Sequence, residues 1–117
     1  MRKIKKIYKR FLARLDKNDF NYKEAMEVYK KANALLIDVR TPEEYRKEHI
    51  DGAINLPEYN IRRNIQNILP DKNQLIILYC SVGERSKMAQ NKLKRLGYTN
   101  VYTVYEGIGD ALFFPIK

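Results

Sequence analysis

Apolar positions along this chain alternate between two kinds of pattern. Residues 34–39 (Ala34-Leu35-Leu36-Ile37-Asp38-Val39), 53–56 and 75–79 are short apolar runs of strand length, the pattern of strands covered on both faces. Elsewhere the apolar positions recur every three or four residues. Ile4, Ile7, Tyr8, Phe11, Leu12 and Leu15 fill an arc of about 140° with lysines and arginines mostly opposite, which predicts an N-terminal amphipathic helix. Asn21-Tyr22-Lys23-Glu24 has the form of a capping box ahead of Ala25, Val28, Tyr29 and Ala32, so a second helix should run to about Lys31 and turn at Asn33. Thr41, Pro42 and Glu44 announce a short helix through about Lys47, since they supply a cap, a proline at the first helical position and a carboxylate three residues on. Ile61, Ile65, Ile68 and Leu69 mark a further helix stopped by Pro70-Asp71. Ala89, Leu93 and Leu96 mark one ended by Gly97, and residues 101–104 form a last short strand.

Strands and helices thus alternate, and no hairpin signature joins consecutive strands. The predicted fold class is α/β, with a mostly parallel central sheet and helices on both faces. A chain of 117 residues suits one such domain. The division expected is a basic helical extension over residues 1–16 and the domain proper over 17–117.

Charge modifies this picture only at the N-terminus. Of a net charge of +9, residues 1–16 hold +6, from seven Lys and Arg against one Asp, which leaves +3 for the rest. That mild excess repels no anionic substrate. Nucleic acid is not expected as a partner, because no basic strand with interleaved aromatics is present. The N-terminal stripe has two readings: it packs on the domain, or it lies on a membrane surface or partner. No bilayer span is expected, since the longest apolar stretch, Leu75-Ile76-Ile77-Leu78-Tyr79-Cys80, falls far short of the roughly 20 residues required. Charges interrupt the first residues before a secretory apolar core can form. A single cysteine and a single histidine, His49, permit no internal disulfide and no four-ligand zinc site from Cys and His, so a reducing, cytoplasmic setting without a metal is expected.

The chemistry converges on Cys80, at the carboxyl end of a buried strand and ahead of a helix, where open α/β sheets place their ligand crevice. Through Ser81, Val82, Gly83 and Glu84 the backbone can curl so that successive N–H groups point inward. Gly83 permits a dihedral that a side chain would forbid. A helix from near Ser86 adds its positive terminus and Arg85 a fixed charge, an arrangement that favours an anionic, nucleophilic sulfur. Glu84 is expected to face solvent. Taken alone, a lone cysteine at a strand end reads better as a small buried hydrophobe than as a nucleophile.

Three ordered segments go beyond that. Cys80-Ser81-Val82-Gly83-Glu84-Arg85-Ser86, Leu36-Ile37-Asp38-Val39-Arg40-Thr41-Pro42-Glu43-Glu44-Tyr45 and His49-Ile50-Asp51-Gly52-Ala53-Ile54-Asn55-Leu56-Pro57 resemble the active-site loop and the two signatures of the rhodanese-like sulfurtransferases. The resemblance covers roughly residues 20–107. It implies a rhodanese-like fold, Cys80 and Arg85 as the catalytic pair, Ser81, Val82, Gly83, Glu84 and Ser86 as the substrate-binding loop, and Asp38, Arg40 and His49 as structural parts of the motifs. It also implies a small sulfur-donor anion such as thiosulfate, a Cys80 persulfide, a thiol, cyanide or protein sulfur acceptor, and no cofactor. Related phosphatases and arsenate reductases of this fold have five residues between cysteine and arginine. Four stand here, a smaller cradle that suits sulfur better than a phosphoryl group. The sequence departs from the family pattern at Glu48, where a glycine usually precedes His-Ile, and at Glu106-Gly107, where paired glycines are usual. It also lacks the tryptophan that usually follows. These departures keep a catalytically weak, partner-docking module as the alternative.

Overall fold

The computed structural model describes residues 19–109. The predicted N-terminal helix lies outside them, as does the chain beyond Gly109. Five strands, β1 (Asp19–Phe20), β2 (Leu35–Asp38), β3 (Ile54–Asn55), β4 (Ile76–Tyr79) and β5 (Val101–Val104), form one sheet in the order β1-β5-β4-β2-β3. Every pairing is parallel. Four α-helices connect them: α1 (Tyr22–Lys31), α2 (Pro42–Lys47), α3 (Ile61–Ile68) and α4 (Glu84–Arg95). None of these helices is long and apolar enough to cross a membrane.

The unbroken apolar runs are explained by two cores, one on each face of the sheet. Successive side chains of a strand point to opposite faces. Leu36, Ile77, Tyr79, Tyr102 and Val104 accordingly pack with Ala25 and Val28 of α1. Ile37, Ile76, Leu78, Cys80 and Val101 pack on the other face with Ile61 and Ile65 of α3 and Ala89 and Leu93 of α4. This is the α/β sheet covered on both faces that the pattern predicted.

The capping boxes at Asn21 with Glu24 and at Thr41 with Glu44 are both formed. Asn33 turns the chain at a φ of 54°, and Gly97 follows α4 at 99°. Three features differ from the sequence-based expectation. Strand β1 was not foreseen, because two residues carry no periodicity. It exists through its neighbours, with Phe20 stacked on Tyr102 at 5.0 Å and the Thr103 hydroxyl donating to Asp19 Oδ1 at 2.6 Å. A 3₁₀ turn, Glu58–Asn60, precedes α3. Helix α4 begins at Glu84 rather than near Ser86, because Gly83, at a φ of 92°, already serves as its N-cap.

For function the register of β2 against β4 matters most. Asp38 pairs with Tyr79, so the segments leaving these two strands emerge side by side at the same end of the sheet.

Candidate active site

Cys80 follows the last residue of β4 and is buried at 0% exposure, its sulfur beneath the first turn of α4. The backbone N–H groups of Gly83 and Ser86 donate to its Sγ at 3.1 and 3.3 Å. These amides belong to the N-cap and third residues of α4, so the sulfur does for this helix what a capping oxygen does elsewhere. The thiol in turn donates to Ser86 Oγ at 3.6 Å, and that hydroxyl donates to the Gly83 carbonyl at 3.1 Å. Ser81 is half-buried, whereas Val82 and Glu84 are exposed, the latter directed to solvent as expected.

The loop is held from behind by the segment after β5. Ile108 donates its amide to the Cys80 carbonyl at 3.0 Å and Gly109 to the Ser81 carbonyl at 3.1 Å. That approach leaves no room for side chains. A Cβ on Gly107 would lie 2.1 Å from the Ser81 oxygen, and one on Gly83 would lie 2.3 Å from the Tyr105 oxygen. Of the two positions where glycines are usual, Gly107 is the one with a φ of 76°. Glu106 has a task of its own, accepting a 2.7 Å hydrogen bond from the Tyr22 amide at the start of α1. Glu48, the other departure, has an extended φ of −167° that any residue adopts.

Arg85 differs most from its expected part. Its guanidinium does not stand alone as a charge for the sulfur. Nη1 and Nη2 donate to the two oxygens of Glu44 at 2.6 and 3.1 Å. The carboxylate is also held by the Thr41 amide and hydroxyl at 3.0 and 3.1 Å. The hydrogen bond from Arg85 is the main reason that Glu44 is pushed down to about 2. Glu44 and its own charge together raise Arg85 above its ordinary value, and the Cys80 sulfur lies within electrostatic reach of the same guanidinium. The sequence pattern assigned Glu44 to its capping box alone. A contact 41 residues long becomes visible only once β2 and β4 are known to be neighbours.

Asp38 and Arg40 form a second, fully interior pair. Arg40 Nε lies 3.0 and 3.1 Å from the two Asp38 oxygens, and its Nη2 lies 2.8 Å from one of them and 2.7 Å from the Glu48 carbonyl. Burial works against the Arg40 charge, but Asp38 more than offsets it and the group is raised. His49 is exposed and away from Cys80's hydrogen-bond partners. Its ring stacks on Tyr45 at 3.7 Å, and Nδ1 donates to the Tyr45 carbonyl at 2.6 Å. The site therefore assembles Cys80, Gly83, Ser86, Arg85 and Glu44, with Asp38 and Arg40 bracing the neighbouring strand end.

A doubly covered parallel sheet with a cysteine at the carboxyl end of its middle strand, capping the amino terminus of the helix that follows, defines a recognisable class of domain. Residues 21–110 match the family described as the Rhodanese-like domain, and the chain belongs to that family. Among its relatives is the thiosulfate sulfurtransferase PspE of Escherichia coli, 45% identical over 56% of this chain and 62% of that protein. A tRNA uridine(34) hydroxylase of Buchnera aphidicola is 34% identical over 74% of this chain but 29% of its own length. This chain thus spans less than two thirds of these curated relatives. A solved structure of a rhodanese with anions from E. coli is 38% identical, with a TM-score of 0.61 over 65% of this chain and 89% of that one.

Proposed function

We propose that this domain is a sulfurtransferase that carries sulfane sulfur on Cys80. The observation that supports it best is the pair of amides, from Gly83 and Ser86, that donate to the cysteine sulfur at the positive end of α4. The identity to PspE and to a rhodanese that holds anions points the same way. A sulfur this deeply buried suits a donor that presents one slim terminal atom, as thiosulfate does.

Cys80 gives up its proton to solvent water, the Gly83 and Ser86 amides hold the resulting thiolate, and the thiolate attacks the outer sulfur of the donor. A new sulfur–sulfur bond forms on Cys80 as the old one breaks, and its electron pair departs with sulfite. The anionic persulfide is held by the same amides. A thiol or cyanide then attacks the terminal sulfur and returns Cys80 as thiolate, giving ping-pong kinetics. Arg85 contributes the remaining N–H groups of its guanidinium to the donor anion.

Cys80→Ser is expected to abolish thiosulfate–cyanide transfer and leave the fold intact, because a serine oxygen accepts the same two amide hydrogen bonds. Mass measurement after incubation with thiosulfate should show a gain of one sulfur on the wild-type chain, removed by cyanide and absent from Cys80→Ser. Val82, 70% exposed, and Tyr105, 49% exposed, lie beside the loop and favour the second reading, a docking module. That reading requires no sulfur gain, so the same measurement separates the two.

A further inference from the structure

We propose that Glu44 is a positioning residue for the transfer loop, clamping the Arg85 guanidinium by both terminal nitrogens and thereby setting where its charge stands relative to Cys80. The inference rests on the sulfur-carrying reading of Cys80 and deepens it. Both Glu44 oxygens engage Arg85, at 2.6 and 3.1 Å, in the two-pronged geometry that fixes orientation as well as distance. Among the described residues Arg85 has no other side-chain hydrogen bond. Its direction is therefore decided by Glu44.

Glu44 is itself immobilised without Arg85. Thr41 holds its Oε1 through the amide and the hydroxyl, as part of the capping box that starts α2 with Pro42. The chain from Asp38 to Thr41 is braced in turn by the buried pair of Asp38 and Arg40. Arg85, on the other side, directly precedes Ser86, whose amide and hydroxyl both contact the sulfur. A rigid strand end thus reaches across to the loop and aims its only arginine.

Energetics point to aim more than to stability. Both side chains of the pair are 34% exposed, and pairs so open to solvent contribute little to folding. The clamp leaves one N–H on each terminal nitrogen, and that on Nε, available to an anion. A guanidinium released from it would sample many rotamers, and the donor would have to order it on binding.

The test uses the full chain and its Glu44→Ala, Glu44→Gln, Glu43→Ala, Arg85→Ala and Glu44→Ala/Arg85→Ala variants, with thermal melting confirming folding. Glu44→Ala should raise the KM for thiosulfate by about tenfold with a smaller effect on kcat, and Glu44→Gln, which retains one acceptor, should fall between. Glu43→Ala, which removes an exposed carboxylate from the same helix start but touches neither Glu44 nor Arg85, should keep its KM. In the Arg85→Ala background, Glu44→Ala should add nothing. A second readout does not need turnover. Cys80 alkylation by anionic iodoacetate relative to neutral iodoacetamide should fall several-fold in Glu44→Ala and hold in Glu43→Ala. An unchanged or lowered KM in Glu44→Ala, an equal rise in Glu43→Ala, or independent effects of Glu44 and Arg85 would overturn the proposal. Failure of the sulfur-carrying reading would show separately, as undiminished transfer by Cys80→Ser.

Discussion

Gly107 shows how much of this site depends on what a single residue lacks. Its φ of 76° suits glycine, and a Cβ would meet the Ser81 oxygen at 2.1 Å, a backbone atom that cannot rotate away. Gly107→Ala is therefore expected to cost at least about 2 kcal/mol in stability and to reduce sulfur transfer more than that loss alone implies. The reason is that the amides of Ile108 and Gly109 anchor the Cys80 and Ser81 carbonyls. Denaturant midpoints and transfer rates of the purified variant check both halves. Cys80 and Gly83 could be singled out from the sequence because a cysteine and a glycine in a strand-to-helix loop have chemical meaning by themselves. Glu106 could be noticed only as a departure. Its role as an acceptor for the Tyr22 amide joins positions 84 residues apart, which no local pattern encodes.

Among the elements, α2 is short yet supplies the carboxylate that pairs with the loop arginine. Its capping box orients Glu44 toward Thr41, and Arg85 of α4 completes the coordination of the carboxylate. Glu44 is lowered from 4.5 to about 2 in the folded protein, chiefly by the hydrogen bond from Arg85. A group depressed on folding adds stability that is fully present above its unfolded value. The contribution is lost as pH falls from about 4.5 toward 2. Wild-type protein should therefore melt above Glu44→Gln near neutral pH, and the gap should narrow across that acidic window. Because the pair is a third exposed, the gap should be small and should shrink with added salt. Thermal melts from pH 2 to 6 at two ionic strengths measure this.

At the scale of the whole molecule, one sheet separates two cores, and the site sits at the carboxyl end of its middle strand, β4, on the face covered by α3 and α4. The family match over residues 21–110 encloses every group that contacts Cys80. A chain lacking residues 1–15 is therefore expected to retain sulfur transfer, with a kcat/KM within about twofold of the full chain. Vesicle co-sedimentation and thermal melting of the two forms then assign the basic stripe. Salt-sensitive binding lost on truncation places it on a lipid surface, and a lowered melting point without binding places it on the domain.

What the sequence determined by itself was everything with a short range. The apolar runs demanded strands buried on both faces, the two capping boxes placed the starts of α1 and α2, and the spacing of Cys80, Gly83 and Arg85 marked a loop with chemistry. Each follows from neighbours within a few residues, where backbone geometry and side-chain type act directly. Only the tertiary structure decided which elements lie side by side. Strand order put β2 against β4, and with it Glu44 against Arg85, giving the charge expected at Arg85 a partner that the sequence did not reveal. The closeness of the segment after β5 likewise made Gly107 indispensable, and pairing with β5 made a strand of Asp19 and Phe20. These are contacts between distant positions, and they arise because burying both faces of a parallel sheet requires one particular stacking of strands, which no segment of the chain specifies alone.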